Sequence, residues 1–549
     1  MEKRTVIAFI LSFLVLIGWS FLFAPKHEQP PPLKREPKPV GSAAEVTSKP
    51  DFSAPDETPA PQRTPTPVAE KHIVVETPLY KLTFSNVDAA IESVKLKKYR
   101  LTTDPQSPFV ELVTLQDQAR EFFKGRFSYR PATESGSLAY EVSDEAIQLT
   151  ADSAARDLTF EAVNADGISI RQKFRFYPDK YPIDMFVSTV NRSDSRIDGR
   201  FNASLKNLPP QGKGSRYAFN GVALLLDNEL EQFAPKKLKD GVSLSGQVGW
   251  MAYEVDYFIA AIVPDAPQKA TVNGRLLASG AVESTYEAPA VTMAPQEQHE
   301  DRFTLYLGPR ELSVLKQLDK GLDRAISFGW TDIIAKPLLH LLRFFNRYVK
   351  NYGVSIILLT ILVKVLFWPL THKSYKSMKE MQKLQPLMAK LREKYKNDKQ
   401  QMNKELMGLY KTYKVNPMGG CLPMVIQIPV FFALFRILGN SIELRHAPFV
   451  LWINDLSAPD RLFNFPFQIP FMSPPYGIPV LTLLMGASMF IQQKMTPTPG
   501  DPTQAKVMMF LPIIFTVMFI NFPSGLVLYW LVNNILSIGQ QYRIKRGAA

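Results

Sequence analysis

A lysine lies inside a long apolar segment of this chain. Lys364 stands between Val363 and Val365, in a segment long enough to cross most of a lipid bilayer. A charged side chain near the middle of a bilayer costs about 2.5 to 3.5 kcal/mol on insertion scales, so we expect it to face protein or water. The alternative is that its long stem reaches the headgroup layer.

Further polar residues interrupt other apolar segments. Thr360 lies one turn before Lys364, Gln427 lies in the next apolar segment, and Asn533 and Asn534 lie in the last one. Together they predict a hydrated indentation lined by several helices. Each of them alone is also compatible with a hydrogen bond between helices, worth roughly 0.6 kcal/mol on average.

The sequence lacks the patterns of a metal, nucleotide or disulfide site. Its six histidines form no HxxxH pair, and its glycines form no Walker-type loop. One cysteine excludes an intramolecular disulfide. We therefore predict a protein that is not an enzyme and that needs no metal or cofactor.

Six apolar segments predict six transmembrane helices. Residues 1–24 are interpreted as an uncleaved anchor, since no small-x-small cleavage site follows the apolar run, and a cleaved signal peptide is the alternative. The other five form a helical core over residues 351–542, at about 352–370, 421–438, 478–492, 507–522 and 526–538.

The distribution of basic residues predicts the orientation. The net charge of +13 is concentrated before the first apolar segment, between residues 371 and 420, and after residue 540, whereas residues 439–477 carry few lysines and arginines. By the positive-inside rule both termini are predicted to be cytoplasmic. The pattern therefore predicts a multi-pass membrane protein.

The chain between the first and second apolar segments predicts an extracytoplasmic domain. Residues 25–70 are rich in proline and charge, which is typical of a disordered linker. Residues 71–328 contain short runs with an apolar residue at every second position, such as Ile168, Ile170 and Phe174. This period predicts a large periplasmic antiparallel β-sandwich.

Residues 329–350 predict an amphipathic helix. An apolar stripe that includes Leu338, Phe345 and Tyr348 lies opposite a basic stripe that includes Arg343. The pattern favours a helix in the plane of the lipid headgroups. A helix packed against the β-sandwich is the alternative.

Residues 373–415 predict a cytoplasmic helical hairpin. Leu384, Met388 and Leu406 belong to two apolar stripes separated by a polar break. The methionine-rich seam is either the core of the hairpin or an adaptable binding face. The basic surface of the hairpin and of the tail at 543–549 is either a topology signal or a contact for ribosomal RNA or anionic lipid.

Several short motifs occur in a specific order. NPMGGCLP at 416–423 runs into QIPVF at 427–431, and FVLWI at 449–453 and FPSGL at 522–526 follow. In these motifs the chain resembles the Oxa/YidC insertase family, in its Gram-negative type with a large periplasmic domain. The resemblance covers nearly the whole chain.

The resemblance implies a function and a site. It implies an insertase and chaperone that inserts, folds and assembles inner-membrane proteins through a hydrophilic groove open to the cytoplasm. The groove receives a polar segment of the nascent membrane protein while its apolar segment moves into the phospholipid bilayer. The residues implied for the groove are Lys364, Thr360, Gln427, Trp530, Tyr529 and Asn533.

The resemblance also implies partners. Members of the family work alone or with the Sec translocon and dock the ribosome through the hairpin and tail. The candidate contact residues are Lys383, Lys390, Arg392, Lys394, Lys396, Lys399, Arg543, Lys545 and Arg546. Lys364 departs from the family pattern, which usually has an arginine there, and lysine lacks the planar fork of donors.

Two other classes of protein are compatible with parts of the sequence. A transporter would place Lys364 on a solute path, but the predicted outer halves of the spans, with Val354 and Ile356, are mostly apolar. A membrane-anchored carbohydrate-binding or sugar-modifying enzyme would use the β-sandwich, but then six spans would be surplus.

Overall fold

The computed structural model describes residues 70–115, 121–130, 136–210, 218–413, 415, 422–495 and 502–546. The predicted anchor at 1–24, the predicted linker up to residue 69 and the last residues of the tail lie outside the described residues, as does most of the NPMGGCLP motif. No side chain is described for residues 399, 422–426, 502–507 and 545.

The described part of residues 72–309 consists mainly of strands. Their bounds are β1 His72–Glu76, β2 Tyr80–Ser85, β3 Ile91–Arg100, β4 Phe109–Glu111, β5 Phe123–Arg130, β6 Glu141–Val142, β7 Ala146–Gln148, β8 Arg156–Val163, β9 Ile168–Phe176, β10 Pro182–Asn191, β11 Ile197–Asn207, β12 Gly221–Leu226, β13 Glu229–Phe233, β14 Val242–Val255, β15 Phe258–Pro264, β16 Gln268–Leu276, β17 Val282–Glu287, β18 Val291–Met293 and β19 Gln298–Pro309. A separate hairpin consists of β20 Leu462–Phe465 and β21 Tyr476–Ile478. The prediction of a large β-rich domain is confirmed.

The long strands join the described strands of this domain into one continuous sheet. The first half of β14 pairs with β16, whereas its second half pairs with β12 and β15. In the same way β19 pairs with β10 and then with β15. All of these pairs are antiparallel, but β1 and β7 pair in parallel, which the sequence does not predict.

The period of two places one face of each strand in the core. In β9 the residues Ile168, Ile170, Gln172, Phe174 and Phe176 are buried, and the residues between them are partly or fully exposed. Their apolar partners form one cluster that includes Trp250 and Tyr286. Burying such side chains stabilises a fold by about 1.5 to 3 kcal/mol each.

Helices follow the sheet. Their bounds are α1 Leu312–Gln317, α2 Asp332–Val349, α3 Tyr352–Leu366, α4 Trp368–Lys394, α5 Lys399–Thr412, α6 Leu422–Asn440, α7 Val480–Met495, α8 Pro502–Phe519 and α9 Ser524–Arg546. The predicted tail at 543–549 is thus not a separate segment up to Arg546, because α9 continues through it.

A sharp bend separates α3 from α4. The two helices meet at Phe367 with an angle of 64°. Pro369 lies in the first turn of α4, where it lacks the backbone N–H that would continue the hydrogen bonds of α3. The helix within the predicted span at 352–370 therefore ends at Leu366, and the next helix, which contains the first part of the predicted hairpin, begins at Trp368.

Among the described helices, none alone is both long enough and apolar enough to meet a length-and-hydropathy criterion for a membrane span. The bent pair formed by α3 and α4 meets it when the two are taken together. Two shorter apolar stretches lie at Gln427–Asn440 and Met508–Phe519.

The amphipathic helix α2 packs on other helices. Its buried residues Ala335, Leu338 and Leu342 contact α3 and α6 in a second apolar cluster, separate from the core of the sheet. Tyr348, at the end of the predicted apolar stripe, is 70% exposed and does not take part in this packing. Arg343 is not on a free basic face, because it pairs with Glu443 after α6.

A short segment after α6 joins the sheet to the helices. Ile442 belongs to the apolar core of the β domain, and Leu444, two residues later, belongs to the apolar cluster of the helices. Arg445 then donates to the backbone carbonyl of Arg100 at 2.6 Å and lies over the ring of Phe258 at 5.7 Å. The β domain is therefore docked on the helical core.

Helices α4 and α5 form a hairpin. Leu384, Met388 and Leu406 are buried between them, as the periodicity predicts. Tyr410 rather than Tyr413 completes this seam, and its hydroxyl lies 3.9 Å from the sulfur of Met388. Met388 therefore belongs to the apolar core of the hairpin and not to an exposed binding face.

Candidate functional site

The ammonium group of Lys364 is buried at the contact between α3 and α9. Its residue is only 3% exposed. The ammonium donates to the hydroxyl oxygen of Ser537 at 2.6 Å and lies 3.5 Å from the amide oxygen of Asn533. This geometry differs from a side chain that extends toward the headgroups, because both acceptors belong to another helix of the core.

Helix α9 supplies most of the polar groups around this lysine. Asn533, Ser537 and Gln540 follow one another at steps of four and three, which places them on one face of the helix. Asn533 also accepts from the amide of Gln427 at 3.5 Å, on α6. Three helices thus meet at one polar cluster, consisting of Lys364, Gln427, Asn533 and Ser537.

The polar cluster is closed on one side and accessible on the other. Lys364 and Ser537 are buried, whereas Gln427 and Asn533 are only partly buried. Gln427 and Asn533 therefore form the accessible rim, and the ammonium lies behind them. In this conformation the lysine does not line an open water-filled indentation.

Lys364 has no carboxylate partner among the described residues. The salt bridges found there involve other cations, and the contacts of Lys364 are the hydroxyl and the amide. A buried cation without a counter-ion is costly in a medium of low polarity. It is therefore a place where an incoming carboxylate or carbonyl oxygen gains more than it would in water.

Two other groove candidates lie apart from these hydrogen bonds. Thr360 is buried and donates to the carbonyl of Ile356 in its own helix at 2.6 Å. Tyr529 is 4% exposed and packs in the apolar cluster of the helices. Asn534 points to another neighbour and donates to Ser488 on α7 at 3.0 Å.

Trp530 joins three helices through its ring. The centroid distances are 4.9 Å to Phe431 on α6, 5.0 Å to Phe519 and 6.1 Å to Phe515, both on α8. Trp530 lies three residues before Asn533, so it shares the face of α9 that carries the polar cluster. The cluster therefore has an aromatic contact beside it.

Sequence reasoning missed three polar residues of this region. Ser537 contacts Lys364, and the amide of Gln540 donates to the hydroxyl of Thr371 on α4 at 2.9 Å. The signal was present, because positions 533, 537 and 540 have helical spacing from an asparagine already singled out. The predicted span ended at residue 538, so the last turns of α9, which carry Gln540, lay outside it.

The candidate ribosome contacts are distributed over two elements. Lys383 is exposed and pairs with Glu380 at 3.0 Å, while Lys390, Lys394 and Lys396 are exposed and Arg392 is partly buried. On α9, Arg543 and Arg546 are exposed. The side chains of Lys399 and Lys545 lie outside the described residues. Lys379 links the two elements, since its ammonium donates to the carbonyl of Ile544 at 3.2 Å.

Comparison with known proteins covers the whole chain. The profile described as "60Kd inner membrane protein" matches residues 344–549, and the profile described as "YidC periplasmic domain" matches residues 72–341. The curated protein "Membrane protein insertase YidC" of Syntrophobacter fumaroxidans is 42% identical over 564 residues, with all of both chains covered. The chain belongs to the YidC family of membrane protein insertases.

Further relatives of the family agree. "Membrane protein insertase YidC" of Geobacter metallireducens is 41% identical and covers 100% of this chain and 99% of its own. A solved structure described as an active YidC insertase with its first transmembrane domain resolved is 18% identical, with a TM-score of 0.39 over 86% of this chain and 93% of that one. Members of this family are inner-membrane proteins, and this chain has both their membrane part and their periplasmic domain.

Proposed function

We propose that this chain inserts other membrane proteins into the inner membrane through the polar cluster at α3, α6 and α9. The observation that carries the proposal is the buried ammonium of Lys364, which contacts a hydroxyl and an amide but no carboxylate among the described residues. A polar segment of a substrate offers carboxylate and carbonyl oxygens that can replace these weak acceptors. No covalent step is needed.

A fixed cation can offset part of the hydration that a substrate segment loses in the bilayer. A substrate segment that crosses a bilayer loses the hydration of its backbone and charged groups, at a cost of several kcal/mol per unsatisfied group. A fixed donor behind an accessible rim of Gln427 and Asn533 replaces part of that hydration. Lysine supplies the charge without the bidentate geometry of arginine, so the proposal requires positive charge and not a planar fork.

The apolar part of a substrate needs a second surface. On α8 the side chains of Phe510, Ile513 and Val517 are 63%, 57% and 42% exposed, and on α3 Val365 and Leu366 are 61% and 72% exposed. These apolar surfaces suit lipid and the apolar segment of a substrate equally well. The substrate segment passes from the polar cluster to the bilayer along them.

The short helices support a thinner bilayer at the site. Helix α3 has 15 residues and α7 has 16, which at 1.5 Å per residue gives about 22 to 24 Å against a hydrocarbon core of about 30 Å. A bilayer thins beside helices that are too short for it. In this proposal the helices of the core and the anchor at 1–24 make six spans, with both termini and the α4–α5 hairpin in the cytoplasm.

The exposed cations of the α4–α5 hairpin and of α9 fit a ribosome. Phosphate attraction is strong and independent of sequence, and the contact of Lys379 with α9 holds the two basic elements together. The Sec translocon is the second partner in this proposal. Neither partner requires a nucleotide, a metal or a catalytic residue in this chain.

The test is replacement of the protein in a depletion strain. Lys364→Ala should lower insertion of small one- and two-span substrates, measured by protease accessibility of their outer loops, and Lys364→Arg should restore it. Lys237→Ala, which removes an exposed lysine of the β domain, is the matched control. Insertion that stays normal in Lys364→Ala would remove the cation from the mechanism.

A further inference from the structure

The segment between α6 and α7 has an unusual composition for a loop in water. Residues 462–478, LFNFPFQIPFMSPPYGI, contain no lysine, arginine, aspartate or glutamate. They include β20 and β21, and they carry the exposed side chains of Phe463, Phe467 and Phe471, which are 66%, 59% and 80% exposed. Soluble surfaces rarely leave so many large apolar groups together in solvent.

Two of these exposed phenylalanines have an unusual backbone conformation. Phe463 has φ of 61° and Phe471 has φ of 63°, and such left-handed values are outliers for a bulky residue. A third residue with this geometry is Leu451, with φ of 58° and 79% exposure, in the preceding part of the same connection. A strained backbone and exposed large apolar side chains are both unfavourable in water, so their coincidence at Phe463, Phe471 and Leu451 points to an apolar environment around these side chains.

Hydrogen bonds hold the segment against the end of a core helix. The guanidinium of Arg461 donates to the carbonyl of Ile520 at 2.8 Å, directly after α8. The amide of Asn521 accepts from the backbone of Ser473 at 2.7 Å and donates to the carbonyl of Phe471 at 2.8 Å. The exposed phenylalanines are therefore fixed at the level where α8 ends.

The same side of the molecule carries a second tie. The indole of Trp452 donates to Asp460 at 2.6 Å, which links the part around Leu451 to the residue before Arg461. The apolar exposed side chains of α8 reach Val517, close to this end. The exposed apolar side chains of α8 and those of the charge-free segment are thus brought together at the end of α8.

We propose that the segment 462–478, together with Leu451, is immersed in the outer leaflet of the bilayer and is not an aqueous loop. The occupant of the surface is lipid, at the boundary of headgroups and acyl chains, where aromatic side chains are favoured. Through the hydrogen bonds of Arg461 and Asn521, the segment 462–478 fixes the depth of α8 and α9 in the bilayer. The proposal uses the membrane location of the family but not the groove, so either can fail alone.

The test uses nitroxide labels in the full-length chain. In a Cys421→Ser background, Phe463→Cys and Phe471→Cys are labelled in vesicles of phosphatidylethanolamine and phosphatidylglycerol. Val163→Cys, at a 54% exposed apolar position of β8, is the matched control. We expect oxygen to relax the labels at 463 and 471 more than a nickel chelate present on both sides, and the reverse order at 163.

Two outcomes would overturn the proposal. One is nickel access at 463 and 471 equal to that at 163, which would place the segment in water. The other is that the nickel chelate reaches the labels in pure lipid vesicles and is excluded only after a translocon or a substrate protein has been added. That result would make the surface a protein-binding one. Hydroxyl-radical footprinting of the unlabelled chain guards against a label effect, since Phe471 should be protected in vesicles.

Discussion

The ammonium of Lys364 donates to the hydroxyl oxygen of Ser537 at 2.6 Å, across the contact of α3 and α9. Ser537 can accept this bond because its own proton is directed to the backbone carbonyl of Asn533 at 2.7 Å. The lysine is thus oriented by two residues of one helical turn. This arrangement separates the role of the charge from the role of the contact, and the two can be tested independently.

Removal of the contact should affect stability more than activity. Ser537→Ala deletes the short bond and leaves Asn533 at 3.5 Å, so we expect a loss of about 0.6 kcal/mol, at most about 1.7 kcal/mol, as for other hydrogen bonds between membrane helices. Substrate insertion should stay close to normal. Thermal unfolding in micelles and the protease-accessibility assay measure the two effects.

Lys364→Met is the complementary change, because it removes the charge and keeps the length of the side chain. Insertion should fall while the helical core stays folded. Addition of Ser537→Ala to Lys364→Met should then have little further effect on stability. A Ser537→Ala variant that loses insertion as completely as Lys364→Met would show that the contact, and not the charge, matters.

A buried ion pair in the β domain should be strongly coupled. Glu254 on β14 is fully buried, and Arg310, directly after β19, is its partner. Arg310→Met leaves the carboxylate uncompensated and should cost about 3 to 5 kcal/mol. Glu254→Leu combined with Arg310→Met should recover most of this loss, as measured by hydrogen exchange of peptides from β14. Additive losses would contradict the coupling.

The same pair should give the β domain a pH dependence. Burial raises the pKa of the Glu254 carboxyl above its usual value, and Arg310 only partly opposes this. The native state therefore binds more protons than the unfolded state between about pH 4.3 and the raised pKa. Relative to Glu254→Gln, the wild-type domain should lose stability as the pH rises from there through the raised pKa. Urea unfolding followed by pulse labelling of β14 measures the free energy of unfolding of both proteins. The difference between wild type and Glu254→Gln should change with pH, and a constant difference would contradict the prediction.

A glycine at the start of α3 should resist substitution. A Cβ atom at Gly353 would overlap the ring of Phe449, and overpacking of this kind costs about 1 to 3 kcal/mol. Gly353→Ala should therefore lower the melting temperature of the helical core. Gly539→Ala on α9 is the control, because the space there is open and alanine favours a helix. Equal melting temperatures for the two variants would argue against a tight contact.

Deletion of most of residues 72–300 should leave insertion largely intact. The polar cluster lies entirely within α3, α6 and α9, whereas the contacts described above between the β domain and the helical core are made by Ile442 and Arg445 after α6. Lys364→Ala should lower insertion in the shortened chain as it does in the full-length chain. Total loss of insertion on deletion alone would favour the hypothesis that the β domain carries the activity. Ile442→Ser should accompany the deletion, because it replaces the apolar side chain that the deletion exposes with a polar one.

Much of the architecture could be predicted because local patterns report burial directly. The period of two in β9 and the apolar stripes of Leu384 and Leu406 depend only on neighbouring residues, and the structure confirms both. The motifs between 416 and 526 were enough to indicate the family. The end of α3 at Leu366 also has a local signal, because Pro369 interrupts the helical hydrogen bonds.

Contacts between distant segments could not be predicted in this way. The direction of Lys364 depends on how α3 packs on α9, about 170 residues later, and no local pattern contains that packing. The partner of Arg343 and the parallel pairing of β1 with β7 have the same origin. The sequence by itself determined which segments are strands or helices and which family they belong to. The tertiary structure alone decided which polar groups meet, because side chains from separate helices pair only after the whole core has packed.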